Sequence, residues 1–438
     1  MSKKGNSDMK AAMSPMDESA GIPHYQIALF SENTVCRLLP RTTISVPSNV
    51  TPEKLSALAN TSMQGVDSNW RPTEFDFLIG TSLLRGPLDD FVDEHLISIE
   101  NVIEIECIVR EPAPQPDLDL PHSDWLAAIK ASSQHIFSTT FDGSLTVWTH
   151  EGEKVKSLSL SETAAKCLDF ISPLTDFRIA VGFQDQSILV ASVIINDEVL
   201  IEVDEVLRGH ERSVECVASN ATGDRLVSGG FDYLLKVWNC SRDDDSTKFK
   251  KFDDAEAKRR KTATSTKTPM VTLSGHRDAI IGAAWLPDSE KEVCTASWDH
   301  TLRIWDLELA GEKNSLSSTK SFTSLSICPT SCLILTGSVD PVVRLFDPRS
   351  HDGSLVKQSF IGHSGWVSCV RWSPKRENLF ISGSYDQVLK MWDVRSGKTP
   401  LYDMKGHTDR ILCCDWSCEE LILSGGVDCT LKSFRRKA

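Results

Sequence analysis

The stretch ASWDHTLRIWD (Ala296–Asp306) decides the fold: an aspartate, then alternating polar and apolar residues, then an aromatic six positions on, here Asp299 and Trp305. Working outward in both directions, the same pattern returns. FDGSLTVW puts Asp142 before Trp148, FDYLLKVW puts Asp232 before Trp238, and VDPVVRLFD puts Asp340 before Phe346. YDQVLKMWD puts Asp386 before Trp392, and VDCTLKSF puts Asp428 before Phe434. One copy is worn: QDQSILVA keeps Asp185 but carries Ala191 in place of the aromatic. Successive aspartates lie 41 to 47 residues apart, except for 67 between Asp232 and Asp299, where a loop over 241–268 is inserted. Seven copies of one unit at a nearly constant period mean a repeat architecture.

Four units also carry an upstream Gly-His: Gly209-His210, Gly275-His276, Gly362-His363 and Gly406-His407, each 27 to 29 residues before the unit's aromatic. These segments resemble WD repeats, whose unit is one four-stranded blade of a β-propeller. The resemblance implies a buried hydrogen-bonded network in each blade, joining histidine, turn aspartate and Trp indole: His210, Asp232 and Trp238; His276, Asp299 and Trp305; His363, Asp386 and Trp392; His407 and Asp428. A catalytic His-Asp pair would occur once; four copies at equal spacing point to architecture, because a satisfied polar network holds strands in one register. One blade cannot bury both its faces, so the blades stack radially until the ring closes. The last strand ends near Arg436 with almost no chain left, so the seventh blade needs an outer strand from elsewhere. The stretch Glu111–Leu120 is expected to supply it, its prolines restricting it to an edge.

Residues 23–110 lack the repeat. HYQIALFSE and TVCRLLPRTTISVP read as a strand and its hairpin partner. VTPEKLSALANTSM opens a helix, with Thr51 as N-cap and Pro52 at the first helical position. FDFLIG and VIEIECIV read as two more strands, joined through LLRGPLDDFVDEHLI. The order ββαββ is that of a ubiquitin-like roll. The expected architecture is therefore mostly β: a disordered leader over 1–22, a small α+β ubiquitin-like domain over 23–110, a linker over 111–122, and a seven-bladed propeller over 123–438. The prolines from Pro112 to Pro121 suggest a semi-stiff connection between the domains.

The wording of both parts is more specific. EFDFLI, LLRGPLDDFV, NVIEIECIV and DWLAAIK in front of TPMVTLSGH, DPRSHDGSLV, GHSGWVSCVRWSP and PLYDMKGH resemble one family of WD-repeat ribosome-biogenesis proteins. That family joins Pescadillo and the block-of-proliferation protein in one complex. The resemblance implies a non-enzymatic scaffold of the nucleolus and nucleoplasm, acting in rRNA-precursor processing and maturation of the large ribosomal subunit. It implies a propeller docked on that of the block-of-proliferation protein within the pre-60S particle, with direct RNA contact left open. It implies no cofactor of its own; the ubiquitin-like domain presents a carboxylate to a Mg²⁺ held by the AAA ATPase midasin. By position in the motif, that acid is Glu100 in ISIENVIEIE. Asp89, Asp90 and Asp93 are open to the same role or to that of solvated helix caps, and Glu104 and Glu106 alternate with core Ile103 and Ile105 on a strand expected to be half-exposed.

Composition limits the other readings. The 438 residues carry a formal net charge of −14, which argues against whole-surface nucleic-acid binding. The run Lys258, Arg259, Arg260, Lys261 is open to a nuclear localisation signal, a local RNA contact, or a plain solvated loop. The longest apolar run, Ile188–Ile195, is interrupted by Ser192 and falls far short of the roughly 18 residues of a membrane helix. Thirteen cysteines show no CxxC pair, and Cys413, Cys414 and Cys418 read as reduced thiols before they read as a zinc site. No nucleophile elbow or phosphate loop is present. Two other identities remain open: a substrate receptor of a ubiquitin ligase, which lacks an F-box-like segment here, and a Notchless-type factor, which has eight repeats rather than seven. The second repeat lacks both Gly-His and aromatic and the fifth lacks Gly-His, so these blades are expected to be less regular and shielded by a partner.

Overall fold

The computed structural model describes residues 23–32, 39–171, 178–195, 199–241, 265–349 and 356–436. The leader and the Lys258–Lys261 run lie outside the described residues. The chain divides into two compact units, Met1–Glu111 and Pro112–Ala438.

In the first unit β1 (His24–Phe30) and β2 (Thr43–Pro47) form an antiparallel pair. Helix α1 (Pro52–Val66) follows, with Leu55, Ala59 and Met63 as its buried stripe at i, i+4, i+8. Strand β3 (Phe75–Ile79) leads to the short β4 (Ser82–Leu83), helix α2 (Leu88–His95) and β5 (Ile103–Val109). The sheet order is β2-β1-β5-β3-β4, with β5 parallel to β1 and antiparallel to β3. The segment LLRGPLDDFVDEHLI thus supplies β4 and α2, two elements beyond the expected ββαββ. Ile27, Leu29, Phe75, Phe77, Ile103 and Ile105 close the core against α1. Glu104 is exposed and ion-paired with Arg41, but Glu106 is 8% exposed. The expectation of half-exposure fails there because β5 is the middle strand, covered by neighbours on both sides.

Among its described residues the second unit holds seven sheets. They run in chain order from blade 1, Leu126–Ala131 through Lys154–Ser159, to blade 7, which starts at Ile411–Cys418. Inner strands are tied blade to blade by side chains that accept neighbouring amides. Asp169 Oδ2 accepts Ser219 N at 2.9 Å, and Ser324 and Ser326 accept Val370 N and Trp372 N at 3.2 and 3.1 Å. The ring closes between blades 7 and 1, where Asp415 Oδ2 accepts Ala131 N at 2.9 Å.

The outer strand of blade 7 is β6 (Gln115–Pro121), antiparallel to Thr430–Arg435. Leu120 is buried opposite Leu431, and Lys432 and Arg435 reach Asp119 and Asp117 at 2.7 and 3.0 Å. Pairing begins at Gln115 rather than at the expected Glu111, since the partner strand ends at Arg435, opposite Gln115. Most of the expected linker over 111–122 is therefore part of a blade. A second difference concerns the inserted loop. Its last residues, Ser265–Lys267, form a strand parallel to Val199–Arg208, a fifth strand on blade 2. Lys267 Nζ anchors it to Glu205 at 2.8 Å, and Glu205 also takes the buried Arg178 at 3.2 Å. Blade 5 keeps the four strands of its neighbours, against the expected irregularity, whereas blade 2 departs from them by its fifth, parallel strand. In blade 5, which lacks the Gly-His, Arg344 is paired with Asp340 and reaches Ser338 at 3.0 Å.

Candidate functional site

Helix α2 ends because Leu96 adopts a left-handed conformation at φ 50°, ψ 44°. Ile97 N then donates to Val92 O at 3.1 Å, closing the helix end in the manner of a Schellman turn. Ile97 packs on the core, Ile99 and Glu100 turn, and Ile103 drops into the core as β5 starts. Glu100 is thereby held at one end of the sheet between the half-buried Ile97 and the buried Ile103. It is exposed and makes no hydrogen bond or ion pair among the described residues. The alternative acids differ in setting. Asp89 is half-buried at the start of α2, where its Oδ1 accepts Asp90 N at 3.0 Å and its charge favours the helix N-terminus. Asp90 and Asp93 are exposed on the helix.

The blade residues come together four times. In blade 6 Trp392 Nε1 donates to Ser382 Oγ at 2.8 Å, Ser382 Oγ meets His363 Nε2 at 2.7 Å, and His363 Nδ1 meets Asp386 Oδ2 at 2.8 Å. A charged Asp386 accepts from Nδ1–H, so Nε2 accepts the Ser382 hydroxyl and the donors all run one way, from indole to carboxylate. Blade 3 repeats this with Trp238, Ser228, His210 and Asp232, and blade 4 with Trp305, Thr295, His276 and Asp299. Blade 7 has Ser424, His407 and Asp428 with Phe434 in the indole's place. Burial alone would raise the Asp386 carboxyl, but the hydrogen bonds from His363 and from the Ser364 and Val388 amides hold it down at about 2. Burial lowers His407, against the pull of Asp428.

Blade 1 has a fifth network that the Gly-His search missed. His122, one residue beyond β6, lies 2.7 Å from Ser138 Oγ through Nε2 and 3.2 Å from Trp148 Nε1. Pro121-His122 stands 26 residues before its tryptophan, one short of the spacing elsewhere. A search for histidine ten to twenty residues before a buried serine, without requiring glycine, would have found it. The closing strand therefore also delivers blade 1's histidine.

Among the described residues Cys369 lies against Cys414, and the other cysteines are spread through the blades. Cys413 and Cys414 are buried, and burial pushes the Cys294 and Cys216 thiols up to about 12 and Cys418 up to about 11, the behaviour of packed, unreactive thiols. Among the described residues no group of three or more His, Cys, Asp or Glu could hold a metal ion. No helix of the described residues is long and apolar enough to cross a membrane.

Comparison with known proteins decides the family. The NLE (NUC135) domain model matches residues 25–92, and the WD domain, G-beta repeat model matches 202–239, 267–306, 312–347, 354–393 and 398–435. The "Ribosome biogenesis protein WDR12 homolog" of Brugia malayi is 54% identical over 404 residues, covering 92% of this chain and 93% of its own. Those of Caenorhabditis briggsae and Drosophila erecta are 39% and 38% identical, covering 95% and 91% of this chain and 96% and 93% of theirs. The chain belongs to the WDR12 family of ribosome biogenesis proteins. Each of the five matched repeats takes in the three inner strands of one of blades 3 to 7 and the outer strand of the blade before it. The two blades without a matched repeat of their own are the ones that depart from the repeat pattern, blade 1 by carrying Pro121 before His122, whose Nδ1 lies against Leu120 O rather than Asp142, and blade 2 by losing histidine and aromatic together.

Proposed function

We propose that this WDR12-family chain is a non-enzymatic scaffold of the large-subunit precursor in the nucleolus and nucleoplasm, acting in rRNA-precursor processing. Its propeller docks on the propeller of the block-of-proliferation protein, which holds Pescadillo. Its N-terminal roll, read as ubiquitin-like, presents Glu100 to the Mg²⁺ of midasin, whose ATP-driven pulling releases the complex from the pre-60S particle. The observation that carries the last step is the state of Glu100: a solvent-facing carboxylate without a partner, set in a turn anchored on both sides by core isoleucines. Mg²⁺ takes oxygen ligands octahedrally and keeps exchangeable waters, so one carboxylate from outside completes its shell and leaves again without disturbing either fold. A carboxylate already ion-paired, as Glu104 is with Arg41, would first have to break that pair.

The test is binding of the full chain to the midasin metal-site domain, with Mg²⁺ and with chelator. Expected is Mg²⁺-dependent binding that Glu100→Ala abolishes. Loss only on changing Asp89, Asp90 or Asp93 would keep the role and move the ligand. Absence of binding by the folded wild-type chain would refute the midasin step.

A further inference from the structure

Four large hydrophobic side chains are exposed among the described residues of the N-terminal unit, and three of them, Leu96, Ile99 and Val102, lie within seven residues around Glu100. Leu96 is 90% exposed, and it holds a left-handed backbone conformation that a leucine adopts only at a conformational cost. Glycine is the usual residue at such a helix end. Folding thus gains nothing from leucine there, on either the burial or the backbone side. The charge around it has one sign: from Gly86 to Val109 the chain has seven acidic residues and no lysine or arginine. Of those seven acids Glu104 is ion-paired with Arg41, while Arg85 pairs with Asp76 and Arg110 with Asp76 and Glu74.

We infer that Leu96, Ile99 and Val102 form a water-excluding apolar rim around Glu100, and that its occupant is an electropositive protein surface in which a divalent cation sits among apolar side chains. This rests on the reading of Glu100 given above and names the surface that accompanies the carboxylate. The one-signed charge selects that occupant. A second copy of this chain would set acid against acid, and an anionic membrane or RNA would be repelled. A carboxylate and Mg²⁺ are both strongly hydrated, and their attraction grows when neighbouring apolar contacts keep water out. The rim contributes affinity that a lone exposed carboxylate lacks.

The experiment uses the full chain and the Mg²⁺-loaded midasin metal-site domain as probe, with dissociation constants measured by calorimetry. The variants are Leu96→Gly with Ile99→Ser, Glu100→Ala, and Val66→Ser, an exposed apolar residue outside the rim. Burial of two aliphatic side chains predicts an affinity loss of roughly tenfold or more for the rim variant, with Mg²⁺ still required. Its melting temperature is expected to be no lower than wild type, since glycine relieves the left-handed Leu96; Val66→Ser should bind within about twofold of wild type. Rim-variant affinity within twofold of wild type, alongside loss in Glu100→Ala, would overturn the rim and leave the metal contact standing. A rim variant that weakens binding while Glu100→Ala and chelator do nothing would support the apolar surface and remove the carboxylate. No binding by wild type would remove both, and self-association of the chain abolished by Leu96→Gly would give the rim a different occupant and overturn the inference.

Discussion

Ser382→Ala and Ser424→Ala remove the same atom from the same place in two blades, and the structure predicts different losses. Both serines are 0% exposed, so water cannot replace the hydroxyl. Ser382 Oγ serves two partners, His363 Nε2 at 2.7 Å and Trp392 Nε1 at 2.8 Å. Ser424 Oγ serves only His407 Nε2, at 2.8 Å, because blade 7 has Phe434 where the indole stands elsewhere. A buried polar group left without a partner costs about 1–3 kcal/mol, so Ser382→Ala should destabilise the propeller by ~2–5 kcal/mol and Ser424→Ala by ~1–3 kcal/mol. The measurement is equilibrium unfolding of the full chain in guanidinium, following the propeller transition by tryptophan fluorescence and circular dichroism. Equal losses, or a larger loss for Ser424→Ala, would refute the view that the serine is the shared acceptor of a one-way chain of donors.

Three other outcomes are expected. Glu100→Ala should leave the melting temperature unchanged, since an exposed carboxylate without partners contributes within about 0.5 kcal/mol; a clear shift in calorimetry would show a structural role. Arg344→Met should destabilise blade 5 by roughly 2–4 kcal/mol by leaving Asp340 unpaired, and the double variant with Asp340→Asn should recover part of it; failure to recover would deny the pairing. On acidification, stability should fall in two stages. His407 and His122 have folded values below 6.5, so the unfolded chain takes up protons first, and stability present above that value is lost as pH falls through the folded ones. Asp386 and Asp142, both held near 2, and Asp299, held lower, add a loss that begins below about pH 4 and is still incomplete at about pH 2. A melting temperature that is flat from pH 7 to pH 3 would contradict both assignments.

Local pattern was enough for a large part of this molecule. The Asp-x₅-aromatic spacing, the Gly-His offset and the 41- to 47-residue period state how one blade is built and how many there are, because each blade folds mostly from residues close in the chain. Thr51-Pro52 and the stripe of α1 likewise mark the helix. What the tertiary structure decided are pairings between distant segments. Gln115 meets Arg435 across 320 residues, and no local periodicity records that register or its start after Pro114. His122 enters blade 1's network because β6 ends beside it, and Ser265–Lys267 becomes a strand only because the edge of blade 2 is there to pair with. Exposure is the other such property. Glu106 reads in sequence as a half-exposed acid yet is covered, and Leu96, of whose exposure the pattern says nothing, is bare. Hydrophobic pattern states which residues gain by burial; whether a neighbour arrives to bury them depends on the whole packed chain.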